Sequence, residues 1–494
     1  MNELFTYFMM LGAVSSASEL PFWATSNQFG LMPEGNGVFA VAGANTEFDE
    51  ENTFQWKWGV SLAANAGKKY FGDDDAVQES ETSVSKKLMV DELYASLKIK
   101  NIPLTLDLGM KHQPLEFISG TKFSDTHSAL GSLSTTGGHM LWSGNARTLP
   151  GYALNLEPVA IPWTNRKALL YGTFGDYKTL DTRYCQGELI HSTKAFLRID
   201  FTNKLSFHIG LDHYAAWGGD KDYVNVNFKN YLRVVTGRTA GDDGTLIDRL
   251  NVIGDQGGAE LFKLEYDDDR FYAVAQHDIP YSDGSGMKFQ NFPDGMNTLY
   301  FGWKDKNRWV SDILFEYGYT RYQSGPIHIE TYDEDGHFTT PDGSCTTGID
   351  DYFNNSEYKD GWTYSGRMIG CPLFFTNTPE REGYTLGIRN NRFTSHHISI
   401  AGKLFKIAPY KLMLTQSMNY GTYASPYIGE SAYQKPWGSV KETGLSQFSA
   451  AFVGEIPVPV ISISGLSVTY GLYWDKGEVL EDNFGCTLGL NLTI

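Results

Sequence analysis

Seven side chains in loop-like segments have the chemistry needed to hold a sugar. A tryptophan ring can stack on the C–H face of a sugar, and an arginine can bind the carboxylate of an acidic sugar through two parallel hydrogen bonds. The candidate residues are Trp142, Asn145, Arg147, Trp217, Asp294, Trp362 and Arg367. We expect them to contact a glycan or to shape the surface that does. The alternative is that they only pack loops over the mouth of the fold.

The elements that must position these residues are β-strands. Apolar residues alternate with small or polar ones to the end of the chain, at Phe484, Cys486, Leu488, Leu490, Leu492 and Ile494. Chain ends fray unless they are paired, so a final strand of this kind needs a partner. A closed transmembrane barrel supplies one, because its last strand pairs with its first and one face of every strand meets lipid.

The spacing of the strands also indicates such a barrel. Short turns alternate with long loops, and the long ones are 67–85, 112–151, 215–257, 278–296, 321–383 and 421–440. Bacterial transmembrane barrels have short periplasmic turns and longer extracellular loops. Roughly 17 strands follow from Val38 onwards, and an even number is normal, so one is missing from this count. The sequence predicts an all-β fold, an antiparallel transmembrane barrel of about 18 strands in the bacterial outer membrane.

Composition agrees with this fold. The chain has 494 residues, with 52 Gly, 29 Tyr and 30 Phe, which suit turns, strands and membrane-interface rims. The mean hydropathy of −0.31 is too polar for a helical membrane protein, whereas a barrel keeps half of its strand residues in a wet lumen. The net charge of −18 argues against nucleic acid or an anionic lipid surface as the main partner.

The N-terminal region divides the chain into three parts. Residues 4–14 are apolar and small residues follow them, a pattern typical of a signal peptide and too short for a membrane-spanning helix. We therefore expect 1–18 to be a signal-peptide-like segment and 37–494 to be the barrel. Residues 19–36 are expected to be either the missing strand, at 22–29, or a plug that enters the lumen.

Charged residues on the polar faces of the strands are expected to point into the lumen. They carry both signs, and they are Lys57, Asp107, Lys111, Arg198, Asp200, His208, Asp212 and Glu316. Mixed signs favour a lumen crossed by ion pairs over an open pore of one sign, so we expect the lumen to be partly plugged. Cys345 and Cys371 fall in one loop-like region and could pair, but spacing alone does not decide this.

Catalytic motifs are absent from the sequence. It contains no G-x-S-x-G, H-E-x-x-H or phosphate-binding loop. Ser206 and His208 lie two residues apart on one strand face, but that face is expected to be luminal. His396 and His397 are adjacent in a strand and therefore point to opposite faces, which does not suit a metal. We expect no enzymatic activity, no metal and no cofactor.

Several segments together resemble the capsule assembly Wzi family, in the version common in Bacteroidota. These segments are residues 21–27, 142–147, 213–219, 291–295, 351–355, 361–364, 366–370 and 372–373. Each one alone is weak, and their order and number carry the resemblance, which runs from about Pro21 to the C-terminus.

The resemblance implies an outer-membrane barrel of about 18 strands with a partly closed lumen. It also implies a lectin-like role in attaching or assembling capsular polysaccharide at the cell surface. The expected partners are then capsular or other surface polysaccharide, outer-membrane lipid, and other proteins of capsule export and assembly. The alternative function, of a different class, is a porin-like barrel that transports small solutes.

Overall fold

Nearly all of the described residues belong to a barrel or to segments that enter it. The computed structural model describes residues 4–70, 82–112, 131–137, 139–242, 244–245, 248–249, 252–282, 286–325, 331–332, 338–339, 350–378, 384–429, 442–458 and 465–493. Its main element is an 18-stranded sheet in which every neighbouring pair is antiparallel. No helix among these residues is both long and apolar enough to cross a membrane.

The strands follow one another around the ring in chain order. They are β1 Leu4–Ser15, β2 Asn36–Thr46, β3 Phe54–Tyr70, β4 Thr82–Ile99, β5 Leu104–Met110, β6 Pro150–Ala160, β7 Ala168–Lys178, β8 Leu189–Asp200, β9 Leu205–Trp217, β10 Asp255–Asp267, β11 Phe271–Tyr281, β12 Gly295–Trp303 and β13 Asp312–Tyr319. Six short strands pair within the next connection: β14 Thr331–Tyr332, β15 Phe338–Thr339, β16 Thr363–Tyr364, β17 Arg367–Met368, β18 Phe375–Thr376 and β19 Ile388–Asn390. The ring continues with β20 Phe393–Leu404, β21 Ala408–Asn419, β22 Leu445–Pro457, β23 Leu466–Gly477 and β24 Asn483–Thr493. Two α-helices with described bounds are α1 Phe22–Thr25 and α2 Phe228–Val235.

Strand β1 closes the ring. Met10 lies opposite Ala40 of β2 on one side and opposite Leu490 of β24 on the other. The barrel therefore includes Leu4–Ser15, which differs from the expected boundary at residue 37, and residues 22–25 form α1 where 22–29 were expected to supply the eighteenth strand. Cleavage of residues 1–18 stays a prediction.

The reason for this difference is the inner face of β1. Phe8 and Met10 point outward and are exposed, whereas Met9 and Leu11 point inward and pack against the buried apolar core. Both faces are apolar, so β1 lacks the alternation of a strand that separates lipid from a wet lumen and resembles the core of a signal peptide.

Loop length separates the two ends of the barrel, as the sequence predicts. The turns at one end are short, for example 100–103, 201–204 and 268–270, whereas the other end carries 111–149, 218–254 and 320–392. Short turns mark the periplasmic end and long loops the extracellular end.

The outer wall is apolar and has an aromatic rim. Leucine and isoleucine side chains are exposed along it, at Leu62, Leu93, Leu170, Leu299, Ile398 and Leu488. Exposed aromatic rings cluster at the short-turn end, at Phe54, Trp56, Trp163, Trp309 and Phe405. An apolar belt bounded by aromatic rings is the exterior of a barrel that spans an outer membrane.

The inner wall is polar and carries ion pairs of mixed sign, which confirms the expectation for the lumen. Lys111 Nζ lies 2.7 Å from Asp107 Oδ1, and His208 Nε2 lies 3.0 Å from Glu265 Oε2. Ser206 and His208 are buried on this luminal face, as expected.

Candidate functional site

The β5–β6 connection descends into the lumen and forms the centre of a plug. Its residues 131–149 are described, except residue 138. The Leu133 carbonyl accepts hydrogen bonds from His397 Nε2 at 2.9 Å and from Ser399 Oγ at 2.8 Å, both on β20. Lys411 Nζ, on β21, donates to the Ser132 carbonyl at 3.1 Å.

Buried acidic side chains of two further strands hold the same loop. Glu316 of β13 accepts hydrogen bonds from Ser134 Oγ at 2.6 Å and from the Thr135 backbone N–H at 2.7 Å. Asp278 of β11 accepts the Met140 N–H at 2.6 Å. These acids lie on inward positions of the wall, so the loop is tied to one arc of the ring.

A histidine completes the attachment. His139 Nε2 lies 3.1 Å from Asp212 Oδ2 of β9, and both side chains are almost fully buried. Burial lowers the pKa of His139, although the neighbouring Asp212 carboxylate opposes that effect. Five strands, β9, β11, β13, β20 and β21, thus bind a single loop.

The segment between β1 and β2 is the second part of the plug. The Phe22 N–H donates to Asp475 Oδ2 at 2.7 Å, and Trp23 Nε1 donates to Thr415 Oγ1 at 3.2 Å; both acceptors belong to the inner wall. Asn27 Nδ2 donates to the Thr135 carbonyl of the central loop at 3.1 Å. Of the two alternatives for residues 19–36, the structure has the plug.

The third part is residues 350–378, from the connection between β13 and β20. Trp362 Nε1 donates to the Leu141 carbonyl at 2.7 Å, and the Cys371 N–H donates to the Met140 carbonyl at 3.0 Å. The Trp362 ring stacks on Tyr214 of the wall, with centroids 4.0 Å apart. Cys371 is buried; Cys345, its expected candidate partner, lies outside the described residues.

Space remains beside the plug. A cavity of about 250 Å³ lies between the first plug segment and the wall, where Trp23, Met413 and Thr469 are among its lining residues. A smaller cavity of about 30 Å³ lies between Trp142, Arg147 and Tyr177. The three plug segments fill much of the lumen between them.

The predicted glycan-binding residues lie largely inside this packing. Trp142, Asn145, Trp217, Asp294 and Trp362 are each at most 6% exposed. The Trp142 and Trp362 rings meet edge to face with centroids 5.3 Å apart, and Asn145 Nδ2 donates to the Met368 carbonyl at 3.0 Å. These contacts agree with the packing alternative of the sequence analysis, and glycan contact by these residues stays a prediction.

Asp294 and Trp217 lie apart from that group. Asp294 accepts hydrogen bonds from the N–H groups of Tyr322 at 2.9 Å and Gln323 at 2.7 Å, and burial raises its pKa to about 7. Trp217 ends β9 and packs with Ile253 of the β9–β10 connection.

The two arginines among the predicted residues are half-buried and bind the backbone. Arg147 Nη2 donates to the Val90 carbonyl, and Arg367 Nη1 donates to the Thr25 carbonyl at 3.3 Å. Burial lowers the pKa of each guanidinium. In this arrangement both arginines stabilise the plug.

A different group of side chains lies at the extracellular rim, and we call it the tyrosine–lysine cluster. It consists of Tyr184, Lys221, Lys359 and Tyr384. The Tyr184 ring centroid lies 4.5 Å from Lys221 Nζ, 5.2 Å from Lys359 Nζ and 6.4 Å from the Tyr384 ring. No side chain of this cluster is buried. An aromatic ring flanked by two ammonium groups suits a sugar that carries a carboxylate.

A buried ion-pair network supports this cluster from below. Arg183 Nη2 lies 2.9 Å from Glu188 Oε2, and Arg183 Nε lies 3.5 Å from Asp360 Oδ2. Asp360 also accepts the N–H groups of Tyr184 and Cys185 at 2.8 Å each, which fixes the backbone that carries the Tyr184 ring. Burial raises the pKa of Glu188 to about 8, and the Arg183 charge opposes that shift.

Sequence reasoning missed the tyrosine–lysine cluster because its members come from separate connections. They lie in 179–188, 218–254 and 320–392, and no spacing within one segment relates them. A signal was present only in composition, since each of these loops combines a tyrosine with a nearby lysine or acid.

One group has the donor types for a metal ion. The ligand atoms of Asp91, Glu92 and His112 all lie within 4.8 Å of one another. His112 Nε2 is 3.0 Å from Asp91 Oδ1, and the His112 ring stacks on Phe29 of the plug with centroids 3.6 Å apart. The three side chains thus link the wall to the plug, and we assign no metal to them.

Comparisons with known proteins identify the fold. No protein-family model matches the sequence, and no curated protein matches it either. A solved structure described as Wzi, an outer membrane protein involved in group 1 capsule assembly in Escherichia coli and a carbohydrate-binding β-barrel, aligns with a TM-score of 0.52 and 12% identity. That alignment covers 98% of this chain and 84% of the other.

Two barrels of Pseudomonas aeruginosa also align. OccK7 (OpdD) does so with a TM-score of 0.41 and 8% identity, over 100% of this chain and 98% of its own. OccK3 (OpdO) does so with a TM-score of 0.45 and 10% identity, over 100% of this chain and 95% of its own. At 12% identity, the likeness to the Escherichia coli barrel establishes the fold alone.

Proposed function

We propose that this protein is a lectin-like outer-membrane barrel that binds capsular or another surface polysaccharide at the cell surface. The observation that carries the proposal is the plug, whose central loop is bound by five strands of the wall. A barrel that is closed in this way would bind its ligand through its extracellular loops and not inside its lumen.

The chemistry of the rim supports an acidic polysaccharide as the ligand. Lys221 and Lys359 each place an ammonium group over the Tyr184 ring. An acidic sugar that packs against this cluster would have its carboxylate within reach of either lysine. The binding of a repeating polymer also tolerates a weak single site, because many repeats engage many protein copies.

Transport of small solutes is the second candidate function. The cavity of about 250 Å³ inside the lumen is the observation in its favour. A transporter needs this space to continue as a wet path past the plug, whereas a polysaccharide-binding barrel does not.

The test compares cell-bound with shed polysaccharide in a strain that lacks the protein and in its parent. We expect the polysaccharide to be made normally and released into the medium when the protein is absent. Complementation with the Lys221→Ala/Lys359→Ala double variant should restore little retention. The matched control Lys406→Ala, at the short-turn end, should restore it fully.

Planar-bilayer conductance separates the two candidates. The proposed function expects little steady conductance from the purified barrel. Unchanged polysaccharide retention together with a steady solute conductance would reject polysaccharide binding in favour of transport.

A further inference from the structure

The β9–β10 connection folds back over the outside of the barrel. Tyr152, Asp176 and His191 occupy one row of outward positions, because each lies opposite the next on neighbouring strands. Tyr152 is exposed, whereas His191 is fully covered. The Tyr231 hydroxyl, from α2, donates to Asp176 Oδ2 at 2.8 Å. Helix α2 therefore lies on the outer wall, against β8 and β9.

The helix has one side on the wall and another that is apolar and exposed. Asn230 and Val234 are fully buried. Phe228 and Leu232, four residues apart, are 74% and 47% exposed. At 3.6 residues per turn, this exposed pair lies well over 90° around the helix axis from the buried pair. Among the described residues nothing covers this phenylalanine and leucine, so an apolar environment outside the barrel would stabilise them.

The remaining side of the helix is basic. Lys229 and Arg233 lie on it, and Arg238 follows the helix. Residues 224–241 contain these three basic residues and no acidic residue, in a chain with 58 acidic and 40 basic residues. This local excess of positive charge complements anionic phosphate groups.

The exposed apolar side continues the lipid-facing belt. Ala215 of β9 is fully covered, whereas Leu211 and Ile209 on the same outer face are 38% and 39% exposed. A strand rises about 3.3 Å per residue, so Leu211 lies roughly 13 Å along the strand from Ala215. A helix with its side chains is about 10 Å across, so α2, which packs over Ala215, lies about one helix diameter from the exposed Leu211.

The next extracellular loop makes a similar contact. Phe289 of the β11–β12 connection is exposed, and its ring centroid lies 6.5 Å from that of Phe262 on the outer wall. Phe262 is opposite Ile209 of the lipid-facing belt. Two neighbouring loops thus extend the apolar exterior at the extracellular boundary.

We propose that α2 is an interfacial anchor that seats the barrel in the outer leaflet. Phe228 and Leu232 enter the acyl-chain region, and Lys229, Arg233 and Arg238 bind the phosphate groups of anionic lipid. An amphipathic helix with apolar and basic sides is the form that such interfacial anchors take. The occupant of this surface is therefore a phosphate-bearing lipid, independently of any polysaccharide at the rim.

Spin labels on the full-length protein in phospholipid vesicles test the position of the helix. Labels are placed at Phe228→Cys and Leu232→Cys, with Ala424→Cys on another extracellular loop as control and the unsubstituted protein as blank. We expect labels at 228 and 232 to be more accessible to membrane-dissolved oxygen than to a water-soluble nickel complex, and the label at 424 to show the reverse. Labels at 228 and 232 that behave like the one at 424 would overturn the proposal.

Lipid charge tests the phosphate contact. In vesicles of phosphatidylcholine mixed with phosphatidylglycerol, the label at 228 should be less mobile than in phosphatidylcholine alone. Charge reversal by Lys229→Glu and Arg238→Glu should abolish that difference, since each basic residue near an anionic surface changes binding about fivefold. Inorganic phosphate added to phosphatidylcholine vesicles should not lower the mobility of the label at 228. If inorganic phosphate does lower it, or if the double variant still responds to phosphatidylglycerol, the site does not recognise anionic lipid.

Discussion

Glu316 binds Thr135 through both hydrogen-bond donors of that residue. The Thr135 backbone N–H and its hydroxyl each donate to Glu316 Oε2 at 2.7 Å. Both residues are fully buried, so neither can exchange this contact for water without moving the loop. The pair joins the barrel wall to the middle of the plug.

Replacing Glu316 should open the lumen. Glu316→Ala leaves the Thr135 N–H unpaired, and a hydrogen bond to a charged group contributes about 1.5–3 kcal/mol. We expect the frequency of channel openings in planar bilayers to rise roughly ten- to a hundredfold. Glu265→Ala is the matched control, because it removes a luminal carboxylate that binds His208 of the wall. Equal conductance of the two variants would contradict the role of Glu316.

Removing the Trp362 ring should destabilise the plug. This side chain is fully buried and stacked on Tyr214, and truncation of a buried tryptophan to alanine costs about 3–5 kcal/mol. Trp362→Ala should increase proteolysis within residues 131–149, which Trp362 holds through Leu141. Trp163→Ala, at an 84% exposed rim position, should leave proteolysis within that segment unchanged. Normal protease resistance with lost polysaccharide binding would instead assign Trp362 to the ligand.

The rim should be more stable at acidic than at alkaline pH. Burial raises the pKa of Glu188 from 4.5 to about 8, so the folded rim favours the protonated carboxyl. The stabilising contribution is complete below about pH 4.5 and is lost as the pH rises through 8. Hydrogen exchange of residues 179–188, corrected for the intrinsic rate, should therefore be faster at alkaline pH.

The Glu188→Gln variant provides the control for that pH dependence. It keeps the shape of the side chain but cannot ionise, so its exchange should change little between acidic and alkaline conditions. An exposed substitution, Glu51→Gln, should behave like the unsubstituted protein. A pH dependence that persists in Glu188→Gln would place its origin in another group.

The tyrosine–lysine cluster should prefer acidic polysaccharide. Tyr184→Ala removes the stacking ring, and an aromatic contact contributes about 0.5–1.5 kcal/mol beyond buried area, so binding should weaken by roughly tenfold or less. Lys221→Ala and Lys359→Ala should each weaken binding of an acidic polysaccharide a few-fold, and less so at high salt. A carboxyl-reduced form of the polymer should not distinguish the lysine variants from the unsubstituted protein. Titration by glycan array or calorimetry measures each effect.

Most of the barrel could be predicted from alternation, because one face of each strand meets lipid and the other meets polar groups. Phe54 and Trp56 at the short-turn rim follow directly from that rule. Strand β1 could not be predicted in this way, because its inward residues Met9 and Leu11 face the apolar plug. Periodicity reports the environments of the two faces of a strand, and it is lost where both environments are apolar.

The path of a long loop is the second feature that could not be predicted from the sequence. Trp142 and Trp362 lie in connections that leave the extracellular end, which made surface contact a reasonable expectation. Their loops return into the lumen because wall residues such as Glu316 and Asp278 accept loop N–H groups there. Such contacts join residues more than a hundred positions apart, and a single sequence does not pair them.

The position of the first plug segment links barrel assembly to permeability. Residues 16–35 connect β1 to β2, and β1 is also the strand that meets β24 to complete the ring. The strand that forms the seam and the first plug segment are therefore neighbouring parts of the chain, and Phe22 and Trp23 of that segment bind Asp475 and Thr415 of the wall. One continuous stretch, residues 4–35, thus both completes the ring and fills part of its interior.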